Sequence, residues 1–213
     1  MSRDTQHPDE SLPPAAYWEQ RYTDADRVWS GKVNATMADV VGPLTPGTAI
    51  DLGCGEGGDV LWLAEQGWHA TGLDISPTAV ERGRAEAAAR GLEQARFEAV
   101  DLETWRPEPG TSDLVTASFF QSRVALDRIA ILRRAGTALR PGGHLVITAH
   151  AGPPSWSTEH RFTLHPAAEQ LEQLALPEPE WELLIAEDRE RPATAPDGSA
   201  GHHLDALVVA RRR

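Results

Sequence analysis

One cysteine stands among the 213 residues, so no disulfide can form within the chain, and a reducing cytoplasm is the expected location. No apolar run approaches the ~20 residues that cross a bilayer. The opening stretch "MSRDTQHPDESLPP" lacks the apolar centre of a signal peptide, and residues 1–14 read as a disordered tail. Positive charge is scarce. Twenty Lys and Arg face thirty-two Asp and Glu, a net charge of −12 that repels phosphate backbones and anionic lipid. Neither nucleic acid nor a membrane is an expected partner, and "ARRR" at the C-terminus reads as a solvated end. The eight histidines include no His-Glu-x-x-His spacing and no Cys/His cluster, so no metal site is expected. There is no internal repeat.

What is present fits one compact domain with a sizeable core: 40% hydrophobic and 24% charged residues. From Thr48 onward short β-rich runs alternate with helical stretches, the pattern of a doubly wound, mostly parallel sheet. "TAID", "HATGLD", "ARFEAVD", "DLVTASFF" and "GGHLVITAH" read as successive strands. The helix "PTAVERGRAEAAAR" is bounded by Ser76 as N-cap and Gly91 as stop. After a further helix, "AAEQLEQLAL", two strands ("WELLIAEDRE" and "LDALVVARR") share a connection too short for a crossover helix, so they pair antiparallel and are expected at the sheet edge. Ahead of the first strand, "AAYWEQRY" and "NATMADVV" form a helical cap. The layout is thus residues 15–213 as one domain, with 15–47 as cap and 48–213 as core.

The stretch "TAIDLGCGEGGDV" satisfies Gly-x-Gly-x-x-Gly through Gly53, Gly55 and Gly58, a pattern shared by NAD sites and other adenosine sites. Ligands of such sheets sit beyond the carboxyl ends of the strands, where strand order reverses. Three of those ends carry an acid: Asp51, Asp74 and Asp101. Asp74 follows Gly53 at the ~20-residue spacing of an acid that grips a ribose diol. Glu56 and Asp59 then separate the ligands. A pyrophosphate at this helix N-terminus would meet negative charge, whereas S-adenosylmethionine brings an ammonium and a sulfonium and no phosphate. Electrostatics therefore favour S-adenosylmethionine over NAD.

"AIDLGCGEGGD", "GLDIS", "AVDLE", "DLVTAS" and "LRPGGHLVI", in this order, resemble the motifs of class I S-adenosylmethionine-dependent methyltransferases. "YWEQRY" and "DRVWSGKVN" are similar to the tellurite-resistance and thiopurine methyltransferase-like branch, which acts on small molecules. The resemblance implies a Rossmann-like sheet of seven strands whose last is antiparallel. It implies that Gly53 and Gly55 admit the methionine part of the cofactor and that Asp51 holds the turn and the amino group. Asp74 would bind both ribose hydroxyls, with Ile75 against the adenine. Asp101 and the Leu102 backbone would meet the adenine amino group, and Ser118 and Phe119 would flank the sulfonium. Arg21 is the candidate for the carboxylate and Trp29 the candidate lid.

Methyl transfer to a thiolate needs no base, but a hydroxyl or protonated amine does. Candidates near the ends of the fourth and fifth strands are Gln121, Arg123 and His150, with His150 foremost because it follows "LVITA" at the ligand edge; a turn histidine is the competing reading. Trp156 in "GPPSWSTEH" is either a substrate lid or a loop anchor, and Cys54 reads as a small turn residue. The place of the Asn/Asp-Pro-Pro-Tyr segment typical of adenine and glutamine methylation reads "SFFQSR", which favours a small-molecule acceptor for a monomer or homodimer. An NAD-dependent oxidoreductase and a non-catalytic S-adenosylmethionine-binding module remain the rival readings.

Overall fold

A computed structural model describes residues 8–157 and 163–213. Seven strands form one sheet: β1 (Thr48–Leu52), β2 (His69–Asp74), β3 (Ala95–Ala99), β4 (Ser112–Ser118), β5 (Leu139–His150), β6 (Trp181–Thr194) and β7 (Ala200–Arg212). Their order is β3-β2-β1-β4-β5-β7-β6, so strand order reverses between β1 and β4. The pairs among β1 to β5 are parallel, whereas β7 runs antiparallel to both β5 and β6.

The helices are α1 (Pro14–Thr23), α2 (Ala35–Val41), α3 (Gly58–Glu65), α4 (Pro77–Arg90), α5 (Arg128–Gly136) and α6 (Ala167–Leu174). Their ends follow local chemistry. The Asn34 side chain accepts the Met37 N–H, and Ser76 accepts the Ala79 N–H. Gly91 closes α4 in the left-handed region.

Alternation along the strands divides the core in two. Val115, Ala117, Leu145, Ile147, Ala206 and Val208 face α5 and α6, where Ile131, Leu132 and Leu174 are buried. Leu114, Val146, Leu207 and Val209 face the other way with Met37, Val60, Leu63 and Val80 of α2, α3 and α4. Trp68 lies in this second layer.

The last two strands form the antiparallel pair expected at the sheet edge, with β7 between β5 and β6 and β6 on the rim. Burial explains this order, since Ala206 to Ala210 are apolar on both faces while β6 carries alternating charge and an exposed Leu183 and Leu184. The tail expectation covers residues 1–14, of which 1–7 fall outside the described residues. From Pro8 the chain is placed against the protein: Pro8 is buried, and Glu10 pairs with Arg123 at 3.2 Å.

Candidate functional site

The glycine turn leaves β1 and is knit to β2 at once. The N–H groups of Gly53 and Cys54 both donate to the Leu73 carbonyl, at 2.8 and 3.1 Å. Gly53 and Gly55 have φ of +65° and +52°, values that suit glycine. A second constraint acts at Gly55, where a Cβ would lie 2.8 Å from the Tyr22 hydroxyl and 3.1 Å from the Trp29 ring. The cap therefore rests directly on the turn.

Beyond the ends of β1, β2, β4 and β5 opens a cavity of about 940 Å³. It is lined by Arg21, Trp29, Asp51, Gly53, Gly55, Asp74, Ile75, Asp101, Leu102, Ser118 and Phe119, the whole set singled out as a cofactor site from sequence. Glu56, Asp59, Gln121, Arg123 and His150 also reach it. The volume lies at the upper end of ligand pockets, enough for two small molecules side by side.

Its acids differ in their surroundings. Asp74 is buried at the end of β2, accepting the Gly55 N–H on one oxygen and the Ser76 N–H on the other, both at 2.9 Å. Burial pushes its carboxyl up to about 6, against the opposing pull of those N–H groups. The Ile75 N–H pulls the same way, and the carboxylate lines the cavity. Asp51 accepts the Thr116 hydroxyl at 2.7 Å, and burial followed by the nearby Asp59 holds it well above the usual carboxylate range. Burial also raises Asp59, which accepts the Asn34 N–H at 2.7 Å. Asp101 is exposed, with one oxygen on the Glu103 N–H. Cys54 is a half-buried thiol whose pKa is pushed well up by desolvation and then by the nearby Asp74 and Asp51, against a thiolate role.

Glu56 plays a part other than the one its position in sequence implied. Its carboxylate accepts the N–H groups of Val28 and Trp29 at 3.1 and 3.0 Å and pairs with Arg82 at 2.9 Å. It is a strut between cap and turn, so its charge is balanced internally. The electrostatic contrast between ligands rests instead on Asp51, Asp59 and Asp74. Glu19 makes a second strut from α1, accepting the hydroxyls of Ser76 and Thr78 at 2.6 and 2.5 Å. Trp29 remains 50% exposed while its indole N–H donates to Tyr22 at 2.9 Å. Arg21, at the cavity wall, has no hydrogen-bonding or ionic partner among the described residues.

The far end of the cavity holds a group that sequence reading missed. Phe119 sits at φ +51°, a strained value for a bulky side chain, and its ring stacks on His150 with centroids 4.2 Å apart. His150 Nδ1 lies 3.5 Å from Asp205 on the adjacent β7 strand, and Asp205 also receives Arg191 Nε from β6 at 2.5 Å. The Arg191 guanidinium lies 5.6 Å from the Phe119 ring centroid. Burial alone would raise Asp205, yet hydrogen bonds from His150 and Arg191 hold it below its ordinary value. Trp156 meets His203 edge-on at 5.0 Å. Of the segment "GPPSWSTEH", read as a substrate lid or a loop anchor, residues 158–160 lie outside the described residues.

A family model described as a methyltransferase domain matches residues 49–143. Three curated relatives share this region. A 2-heptyl-1-hydroxyquinolin-4(1H)-one methyltransferase of Mycobacteroides abscessus is 32% identical over 54% of this chain and 52% of its own. The ribosomal RNA small subunit methyltransferase C of Alcanivorax borkumensis is 36% identical over 51% and 34%. A probable thiol methyltransferase 2 of Arabidopsis thaliana is 32% identical over 68% and 66%. The chain thus spans between a third and two thirds of the length of these relatives. Among solved structures, TehB from Haemophilus influenzae superposes with a TM-score of 0.68 at 16% identity, covering 92% of this chain and 67% of that one, a likeness of fold.

Proposed function

We propose that this chain, which carries a methyltransferase domain, transfers the methyl group of S-adenosylmethionine to a small-molecule acceptor and releases S-adenosylhomocysteine. The observation that supports this most is the acid-ringed glycine turn facing a cavity wide enough for cofactor and acceptor together. Asp74 takes the two ribose hydroxyls, with Ile75 against the adenine and Asp101 and Leu102 at its amino edge. Asp51 and the turn at Gly53 and Gly55 hold the methionine end, and Arg21 its carboxylate. Ser118 and Phe119 flank the sulfonium, and residues 15–47 close over the cofactor with Trp29 as lid. The methyl carbon then passes in line to an acceptor atom held ~3–3.5 Å away. No metal enters this scheme.

The protein acts in the cytoplasm on a small molecule, as monomer or homodimer, without nucleic acid or membrane. A net charge of −12 supports this, and among the described residues no helix is long and apolar enough to cross a membrane.

Ligand-induced stabilisation tests the cofactor. At a hundredfold excess over Kd, S-adenosylmethionine or S-adenosylhomocysteine adds ~2.7 kcal/mol. For a chain of this size that raises Tm by roughly 5–10 °C. NAD and NADP should move Tm by no more than about 1 °C, because their pyrophosphate meets Asp51, Asp59 and Asp74. A shift with NAD and none with S-adenosylmethionine returns the oxidoreductase reading, while binding without turnover on any acceptor leaves a sensor module.

Acidity gives an independent check. Ribose hydroxyls donate to the ionised form of Asp74, and protonation begins as pH falls through about 6. Binding therefore lowers this pKa, and affinity is full above it and lost below it. Calorimetry between pH 7 and pH 5 should show roughly a tenfold weakening. In Asp74→Asn this dependence should vanish; a wild-type affinity independent of pH across the window removes Asp74 from the ribose site.

A further inference from the structure

The cavity has two electrical ends. Asp51, Asp59 and Asp74 gather around the glycine turn, whereas Arg123, His150 and Arg191 line the side under β4, β5 and β6. Only the first end is accounted for by the cofactor. At the second end the strained Phe119 stacks on His150, and the fully buried Asp205 braces both His150 and Arg191 from behind the wall. Backbone strain of this kind persists where surrounding structure over-determines it, and it clusters at working sites.

We propose that His150, Asp205 and Arg191 form the acceptor subsite, where His150 takes the proton of an acidic hydroxyl ahead of methyl transfer, Asp205 positions His150, and Arg191 faces the oxyanion so formed. This rests on the methyltransferase reading and names its acceptor class: a phenol, enol or N-hydroxy compound rather than a thiol or alkylamine. In the reaction the acceptor oxygen forms a bond to the methyl carbon with its lone pair. The carbon–sulfur bond breaks, its electrons staying on sulfur as neutral S-adenosylhomocysteine. The hydroxyl proton passes to His150 and then to water.

Three features carry the assignment. Position comes first: His150 is the last residue of β5 and lines the cavity beside Phe119, at the sulfonium end. Orientation comes next. The Asp205 carboxylate, held by Arg191, stands 3.5 Å from Nδ1, and such contacts are long in unliganded sites and tighten with substrate. It directs Nε2 to the opposite side of the ring and stabilises the imidazolium that forms. Charge comes third. Arg191 offers a cation that favours the ionised form of an acidic hydroxyl once His150 takes its proton, and a lone amine acceptor would gain nothing from it.

Methyl transfer to a panel of phenols of graded acidity and to matched thiols separates the possibilities, with wild type, His150→Gln and Asp205→Asn compared. Titration calorimetry with S-adenosylhomocysteine serves as the control for folding and cofactor binding. His150→Gln should keep that affinity within about threefold yet lose roughly 100- to 10,000-fold in kcat on phenols. The loss should grow as the phenol becomes less acidic, with KM little changed, while any thiol turnover falls less than tenfold. Asp205→Asn should follow the same trend with a smaller loss, which a merely structural defect would not do. Wild-type product from thiols alone, or equal losses on thiols and phenols in His150→Gln, overturns this inference and leaves the cofactor reading intact. Absence of S-adenosylhomocysteine binding by the wild type instead removes the reading beneath it.

Discussion

Asp74→Ala should weaken S-adenosylmethionine binding by at least ~30-fold. In the proposed site the substitution would remove the acceptor of two ribose hydroxyls, each a bond to a charged group worth ~1.5–3 kcal/mol. Two bonds at the low end, partly replaced by water, still leave ~2 kcal/mol, which is about 30-fold in Kd. Stability should respond less, through two opposed effects. Alanine leaves the N–H groups of Gly55 and Ser76 without their carboxylate. It also removes a buried acid raised to about 6, whose ionisation at neutral pH costs roughly 3 kcal/mol. With this group alone considered, the ligand-free wild type gains stability as pH falls from about 6 toward the unfolded value, and the variant lacks that gain. Calorimetry measures the affinity and scanning fluorimetry the Tm. An affinity within threefold of wild type means that the ribose is held elsewhere.

Glu56→Ala should lower stability by about 2–4 kcal/mol, because two backbone N–H groups and a partly exposed guanidinium lose their charged acceptor. Its carboxylate joins two backbone N–H groups of the cap to Arg82 of α4, and Arg82 also donates to the Ala25 carbonyl at 2.7 Å. Removing it frees residues 25–32 from the turn and strands the guanidinium. For this chain length a Tm fall of roughly 4–16 °C follows. Limited proteolysis should then cut between Ala25 and Lys32, with S-adenosylmethionine restoring protection. Saturating ligand should recover part of the lost Tm, because a cap that covers the cofactor is held by it in return. A Tm within 2 °C of wild type would show that the strut is redundant with Glu19. Cleavage unaffected by ligand would show that the cap does not cover the site.

Local chemistry made most of the fold legible. The first five strands and α3 to α5 announce themselves by alternation, by Ser76 at a helix start and by Gly91 at a stop, none of which needs distant partners. The cofactor candidates share this property. Apart from Arg21 and Trp29 of the cap, they sit at or just past strand ends, and a parallel sheet gathers its strand ends at one rim, so they line one cavity. What failed to show was long-range. A short connection says that β6 and β7 pair, but only burial in the finished sheet decides which takes the rim. In the sequence Asp205 is one acid in an apolar strand, and its meaning arises from β5–β7 register, which sets it beside His150 across more than fifty residues. Glu56 was misread for the same reason. Its partners lie in the cap and in α4, so a charge that looked free to meet a ligand is already matched.

Because β7 is bonded along both edges and its middle is fully buried, the slowest amides to exchange with deuterated solvent should be those of Ala206 to Ala210. Strands near a chain end usually fray first. Here the late segment should instead report global unfolding, while the outer edge of β6 exchanges through local opening. The pairing of β5 with β7 must also wait for the intervening fifty or so residues to close, a large entropic step. Refolding should therefore show its rate-limiting phase in the protection of β7, with the β1 to β4 region gaining protection earlier.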